Sequence, residues 1–363
     1  MRVSTSAFWE PQNHVRLDHE TAADVEPTNG IGVLLINFNT ASCTLRCLDS
    51  LLSGSARPDW IFVLDNASAP ADRVELQHGI STRHGTALRL YVSNVNLGFA
   101  AGSNFLMQVL MAEPACGHAL LLNNDAVADT RMLVRFIELI GQHDRIDLAG
   151  GRMHQLAKPA DVDTLGIAIY ASLMPADRKT RDDPYWGPTG GCLLLGRRLF
   201  KRLQEVSGYC FDPRYFCYCE DTDLVVRSRL LGFKAHYIDA VLAYHQGQAS
   251  SGGGHNDFIA YHGLRNSLWM QVKLFPGHLW ARYGALLLAA HALTIVRYVL
   301  TGRARVLLRV YRDGVSGLAG FWRERSEFKS HVTATRHEVR RLIAPHFYRR
   351  GYLRGVLHQF THS

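Results

Sequence analysis

Apolar runs that each stop at a polar residue constrain this chain more than any other feature. Gly30 to Asn37 (GIGVLLIN) is apolar over strand length, and Trp60 to Asp65 (WIFVLD), Leu88 to Val92 and Ala119 to Leu122 follow the same pattern. A strand that reads apolar at every position is buried on both faces, as in a parallel sheet. Between the runs, Thr40 to Leu52 places Leu45, Leu48, Leu51 and Leu52 on one helical face, and Gly98 to Met111 is also helical in pattern. Strands alternating with helices through the first 125 residues predict an α/β fold with a doubly wound, mostly parallel sheet. Ligands of such sheets lie beyond the carboxyl ends of the strands. The polar residues fall at those ends: Asn37 and Asn39, Asp65 and Asn66, Asn94 and Asn96, and Asn123, Asn124 and Asp125.

The second half is more mixed. Gly187 to Leu195 (GPTGGCLLL) is a Gly-rich loop feeding an apolar strand, and Leu224 to Leu231 is a helix ended by Gly232. Lys234 to His245 returns as a strand, and Ser250 to His255 reads as a flexible loop. The chemistry concentrates in three places. Asp125, at a strand exit, is suited to a divalent cation through its hard oxygen, or to capping a helix. Glu220-Asp221-Thr222-Asp223 packs three carboxylates into four residues behind Tyr215-Phe216-Cys217-Tyr218. Aromatic surroundings and adjacent like charges raise a carboxylate pKa toward that of a general base, while an acidic first helical turn is the structural alternative. His245 follows VLAY and is either a metal ligand or a structural histidine. At the first strand end, NFNTAS has no glycine, which argues against a dinucleotide-binding dehydrogenase. Asp65 is placed either to accept from a pyrimidine ring N–H or to form an Asp-Asn turn. Asn96 to Gly102 opens a helix whose N-terminus and glycines favour a phosphate.

These segments resemble family 2 inverting glycosyltransferases of the GT-A fold, and within them the bacterial rhamnosyltransferase-like branch. The resemblance spans Ile31 to Phe275, through VLLINFNTASCTLRCLDSLL, FVLDNAS, NVNLGFAAGSN, LLLNNDA, TGGCLLLGRRLF, FDPRYFCYCEDTDLVVRSRLLGF and YHGLRNSLW. It implies that Asp65 pairs with the pyrimidine base, and that Asn96 and Gly98 cover the nucleotide, with Asn37, Asn39 and Asn66 beside them. Asn123-Asn124-Asp125 stands where the family has its D-x-D metal motif, with Asn in the first position. Asp125 and His245 then complete a site for Mg²⁺ or Mn²⁺, with the donor diphosphate supplying the remaining oxygens. Asp221 looks like the catalytic base, supported by Glu220. Trp186, Gly190, Gly191, Asp223 and the pair Arg265-Asn266 are the expected acceptor side. The implied donor is a dTDP- or UDP-sugar, best matched by dTDP-L-rhamnose, and the acceptor a lipid-linked or oligosaccharide chain. A galactofuranosyl- or other hexosyltransferase, or a degenerate sugar-nucleotide-binding scaffold, is the alternative.

Charge divides the chain of 363 residues unevenly. Leu279 to Ser363 holds 15 Arg and Lys against 4 Asp and Glu, while the whole chain carries +8. The expected layout is a polar N-terminal extension (residues 1–29, loosely ordered, with no signal-peptide pattern), a glycosyltransferase domain (30–278) and a basic helical C-terminal region (279–363). Trp280 to Leu300 is apolar but interrupted by Arg282, His291 and Arg297, so it is expected to lie on an anionic membrane surface rather than span it. A buried helix or a dimer contact is the alternative there. The matching location is the cytoplasm, peripheral on the inner face of the cell membrane. Nucleic acid is not expected as a partner, since no recognised binding motif accompanies the charge. The odd number of cysteines, 7, speaks for reduced thiols rather than a disulfide framework.

Overall fold

The structure is a computed structural model that describes residues 13–20, 29–247 and 256–350. The Ser250–His255 loop expectation lies outside the described residues. The chain opens with β1 (Val15–Glu20) and β2 (Gly30–Asn37), then runs through α1 (Ala41–Leu52), β3 (Trp60–Asn66), α2 (Pro70–Ser81), β4 (Ala87–Ser93), α3 (Gly98–Ala112) and β5 (Cys116–Leu122). Next come β6 (Ala126–Ala128), α4 (Met132–Gln142), β7 (Leu148–Gln155), β8 (Val162–Thr164), β9 (Ile167–Tyr170), β10 (Pro175–Asp177) and β11 (Cys192–Gly196). The rest is mainly helical: α5 (Arg197–Ser207), α6 (Glu220–Leu230), β12 (Ala235–His245), α7 (Asp257–Leu274), α8 (Gly277–Leu300), α9 (Ala304–Lys329), α10 (Arg336–Arg341) and β13 (Ile343–Ala344).

The central sheet has the order β1-β4-β3-β2-β5-β11-β7-β12-β6, with β8 added beside β7. β4, β3, β2 and β5 are parallel, whereas β11 runs antiparallel to both β5 and β7. Side chains alternate between two cores because strand residues point to opposite faces. Ile31, Val33, Leu35, Ile61 and Val63 pack with Leu48 and Leu51 of α1, Leu76 of α2 and Phe136 of α4. Leu34, Phe62 and Leu64 pack on the other face with Leu106 and Leu110 of α3. The direction of chain progression reverses at β2, so the crevice beyond β2 and β5 is the place for a ligand. A second sheet, β10-β9-β13, joins the C-terminal segment to the middle of the chain.

The structure adds to the sequence reading at three points. The N-terminal extension contains β1, an antiparallel edge strand on β4; its alternation of polar residues hides it from an apolar scan. The helical C-terminal region is present but shares the main core: Leu279, Leu287, Phe321, Phe328 and Ile343 pack in the same cluster as the sheet. Third, α8 is one unbroken helix of 24 residues, long and apolar enough by length and composition to cross a membrane, and its hydrophobic window is 11% buried.

Candidate active site

The strand ends on the β2–β5 side enclose a cavity of about 940 Å³. Asn66, Asn96 and Gly98 form one of its walls. Asn66 Nδ2 donates to Asn96 Oδ1 (3.1 Å) and to the Gly98 carbonyl (3.3 Å), while its Oδ1 accepts from Leu97 N (2.8 Å). Gly98 has φ +73°, and a Cβ there would come within 2.4 Å of the Phe216 ring, so glycine is required. Asn37, Asn39 and Asp65 lie behind this wall and do not line the cavity. Asp65 is fully buried, taken by Arg73 Nε (2.8 Å) and Asn37 Nδ2 (3.2 Å). Asn39, at φ +55°, accepts from Ala69 N (2.8 Å) and braces the turn. Asn124 does line the cavity, with its amide donating to Thr40 and Thr44 hydroxyls, both at 2.8 Å.

Asp125 and His245 are brought together by strand pairing. β12 runs antiparallel to β6 and sets His245 opposite Ala126, next to Asp125. The imidazole Nε2 is 3.0 Å from Asp125 Oδ1 and 3.1 Å from the Asn123 amide. Its Nδ1 is 2.8 Å from Asp163 Oδ2, a residue of β8 that the sequence reading missed. Burial lowers the imidazole pKa, but hydrogen bonds and charge from Asp125 and Asp163 outweigh it and raise it to about 10. A carboxylate on Nδ1 that leaves Nε2 facing a second carboxylate is the donor arrangement of a His metal ligand with its outer-sphere partner. The described residues contain no cluster of three or more His, Cys, Asp or Glu suited to hold a metal. Asp125 and His245 offer two donors, so a divalent cation here would need the imidazole deprotonated at Nε2 and further ligands beyond these two.

The acidic cluster forms another part of the wall, its turn packed against Gly98 through Phe216. Phe216 (φ +64°), Tyr218 (φ +64°) and Cys219 (φ +70°) make a strained turn that delivers Glu220 and Asp221 as the first residues of α6. Asp221 Oδ2 accepts from Gly190 N (2.8 Å), and its Oδ1 from Thr222 N (2.6 Å). Burial raises its pKa, and the hydrogen bonds from Gly190 and Thr222 pull it partly back. Burial, with the Asp221 charge second, holds Glu220 well above the usual carboxylate range, and its buried Oε2 has no hydrogen-bond partner.

Gly190 and Gly191 of the acceptor-side group line the cavity, whereas Trp186, Asp223, Arg265 and Asn266 do not. Trp186 is a core residue whose Nε1 donates to Leu342 O (2.6 Å). Asp223 turns inward to Arg227 Nε (2.5 Å), Lys273 Nζ (3.0 Å) and Tyr215 OH (3.0 Å). Asn266 Nδ2 donates to the carbonyls of Tyr215 (2.9 Å), Cys217 (2.9 Å) and Tyr218 (2.7 Å), and Arg265 holds its Oδ1. This pair clamps the strained turn rather than meeting a ligand. Lys273, missed above, bridges Asp212 (2.8 Å) and Asp223 within the same buried network. A single lysine in the apolar stretch LWMQVKLF was the available signal.

Known proteins agree with this architecture. The family model "Glycosyltransferase like family 2" matches residues 27–258. No curated protein matches the sequence. The mannosyltransferase PcManGT from Pyrobaculum calidifontis, solved in complex with GDP-Man and Mn2+, superposes with a TM-score of 0.51 at 13% identity, covering 86% of this chain and 89% of that one. GalNAc-T7, solved with UDP, GalNAc and Mn2+, superposes with a TM-score of 0.52 at 13% identity, covering 74% of this chain and 51% of that one. These likenesses concern the fold, which is that of the GT-A glycosyltransferases. The family match over most of the chain, on a GT-A fold with a carboxylate-lined cavity at the strand ends, makes this chain a member of the family 2-like glycosyltransferases.

Proposed function

We propose that the chain transfers a sugar, with inversion, from a nucleoside diphosphate sugar to a saccharide hydroxyl. The observation that carries this reading is that Asp221 and the Asp125–His245 pair line one cavity of about 940 Å³, within the size range of small-ligand sites. Asn66, Asn96 and Gly98 hold the nucleoside end. A divalent cation, Mg²⁺ or Mn²⁺, held by Asp125, His245 and the diphosphate, would neutralise charge on the departing nucleotide. Asp221 takes the proton of the acceptor hydroxyl, whose oxygen forms the new bond to C1 as the C1–O bond to phosphate breaks on the other side. The raised Asp221 carboxyl suits it to that proton transfer. Burial holds Glu220 well above the usual carboxylate range, which favours its protonated form beside Asp221. The donor is assigned as dTDP-L-rhamnose from the resemblance of the motifs. The structure occupies Asp65, the base-pairing candidate, with Arg73 and Asn37, so GDP-sugars belong in the test as well. Midpoints of thermal unfolding with Mn²⁺ and dTDP-rhamnose, UDP-sugars or GDP-mannose provide it. A donor at a hundred times its Kd adds about 2.7 kcal/mol. No stabilisation and no transfer with any of them would reject the reading.

The acceptor is proposed to be lipid-linked, at the cytoplasmic face of the membrane. Leu288 of α8 is 72% exposed, Leu300 65% and Leu308 of α9 71%. Arg305, Arg309 and Arg312, exposed on α9, supply the charge for an anionic leaflet. Flotation with phosphatidylglycerol vesicles at low salt tests this, and protein that stays at the bottom of the gradient would remove it.

A further inference from the structure

The cavity has a charge problem. Five carboxyl groups line it: Asp125, Asp163, Asp177, Glu220 and Asp221. Among its described lining residues, Arg349 is the only Arg or Lys. Under the reading above, the ligands entering this space carry phosphoryl charge, and beyond the metal and imidazole at Asp125 and His245 a further cation on the wall would favour them.

Arg349 reaches the cavity by a specific route. β13 pairs in parallel with β9, Ile343 opposite Ile169 and Ala344 opposite Tyr170. Beyond it, Ala171 N donates to His346 O (2.9 Å) and Ser172 N to Phe347 O (3.2 Å). The Tyr348 ring packs against Tyr170 at 5.3 Å between centroids, and the Arg349 guanidinium lies over Tyr348, 5.6 Å from its centroid. The neighbouring Arg350 pairs with Asp182 (3.3 Å), which is not part of the cavity wall. The backbone thus fixes this strap up to Phe347 and delivers one guanidinium, on a tyrosine platform, to a wall that carries five carboxyl groups. Guanidinium matches phosphoryl oxygens with two parallel N–H donors.

We propose that Arg349 is a phosphate-binding residue of this cavity, positioning the phosphoryl group of a substrate. The proposal rests on the nucleotide-sugar reading. One phosphoryl chemistry has two sources, the donor diphosphate and the diphosphate of a lipid-linked acceptor, and the test separates them. Wild type, Arg349→Ala, Arg349→Gln, Arg349→Lys and Arg350→Ala, as full chains, are titrated by calorimetry with UDP, dTDP and GDP in Mn²⁺, and with farnesyl diphosphate. Charge-assisted hydrogen bonds predict that Arg349→Ala and Arg349→Gln lose about 10- to 100-fold in affinity. Arg349→Lys recovers part of it, and Arg350→Ala binds as wild type. Loss confined to the nucleotides assigns Arg349 to the donor, and loss confined to farnesyl diphosphate assigns it to the acceptor. Folded Ala and Gln variants that bind every probe as wild type does would overturn the proposal. A wild-type chain that binds none of the nucleotides would instead reject the functional reading itself, and this one with it.

Discussion

Replacing Asn266 by leucine would separate the clamp from the cavity it supports. The change keeps the volume and removes the two N–H donors that Nδ2 shares among the carbonyls of Tyr215, Cys217 and Tyr218. At about 0.5–1.5 kcal/mol each, with Arg265 also losing its acceptor, the expected loss of stability is about 3 kcal/mol. The freed turn contains three non-glycine residues at positive φ, Phe216, Tyr218 and Cys219. Each is held in a conformation that costs on the order of 1 kcal/mol, so the turn relaxes when the clamp opens. Asp221 lies in the first turn of α6, two residues beyond Cys219, and a displacement of about 1 Å at the reacting groups costs on the order of 100-fold in rate. Asn66 and Asn96 sit on other elements and keep their bonds to Gly98 and Leu97. The assay is thermal unfolding together with steady-state kinetics on the donor found by the nucleotide-sugar panel. The expected result is kcat down about 100-fold with nearly unchanged nucleotide affinity. A folded Asn266→Leu protein with wild-type kcat would refute the clamp, and loss of nucleotide affinity in step with kcat would show that the turn holds the donor.

Two further outcomes follow from the buried charges. Lys273→Met leaves Arg214 and Arg227 as the cations paired with Asp212 and Asp223, and removing one member of a buried ionic network costs about 3–5 kcal/mol. Circular dichroism melts would show it, and a midpoint within a degree of wild type would contradict it. His262 is pushed down from 6.5 to about 4 by burial, with the Arg265 charge second. Below pH 6.5 the unfolded chain gains a proton that the folded imidazole refuses. Stability is therefore highest above that pH and falls by about 1–3 kcal/mol as pH drops toward 4. His262→Gln should flatten that part of the profile in urea titrations, and an unchanged slope would count against it.

The parallel half of the sheet was legible because strands buried on both faces leave unbroken apolar runs, which Ile31 to Ile36 and Ile61 to Leu64 display. Helix α2 was not, since it buries only Leu76 and Ile80 and exposes Val74, leaving little periodic signal. The acidic cluster could be read as chemistry, yet nothing local told Asp221 from Asp223. Three-residue helical spacing would suggest similar faces for Glu220 and Asp223, but Lys273 and Arg227 draw Asp223 into the core while Gly190 holds Asp221 at the cavity. Asp163 and Arg349 were invisible because they reach the cavity through the β7–β8 and β9–β13 pairings, which no short motif encodes.

The account stands most directly on the role of Asp221. Single-turnover transfer by Asp221→Asn, measured beside its affinity for the donor nucleotide, tests that role. The amide keeps an oxygen for Gly190 N and gives up only the bond from Thr222 N, so folding and nucleotide binding should stay close to wild type. Without a base the transfer rate should fall by about 100- to 10,000-fold. Transfer by Asp221→Asn at near the wild-type rate would contradict the assignment and leave the acidic turn of α6 a structural feature only.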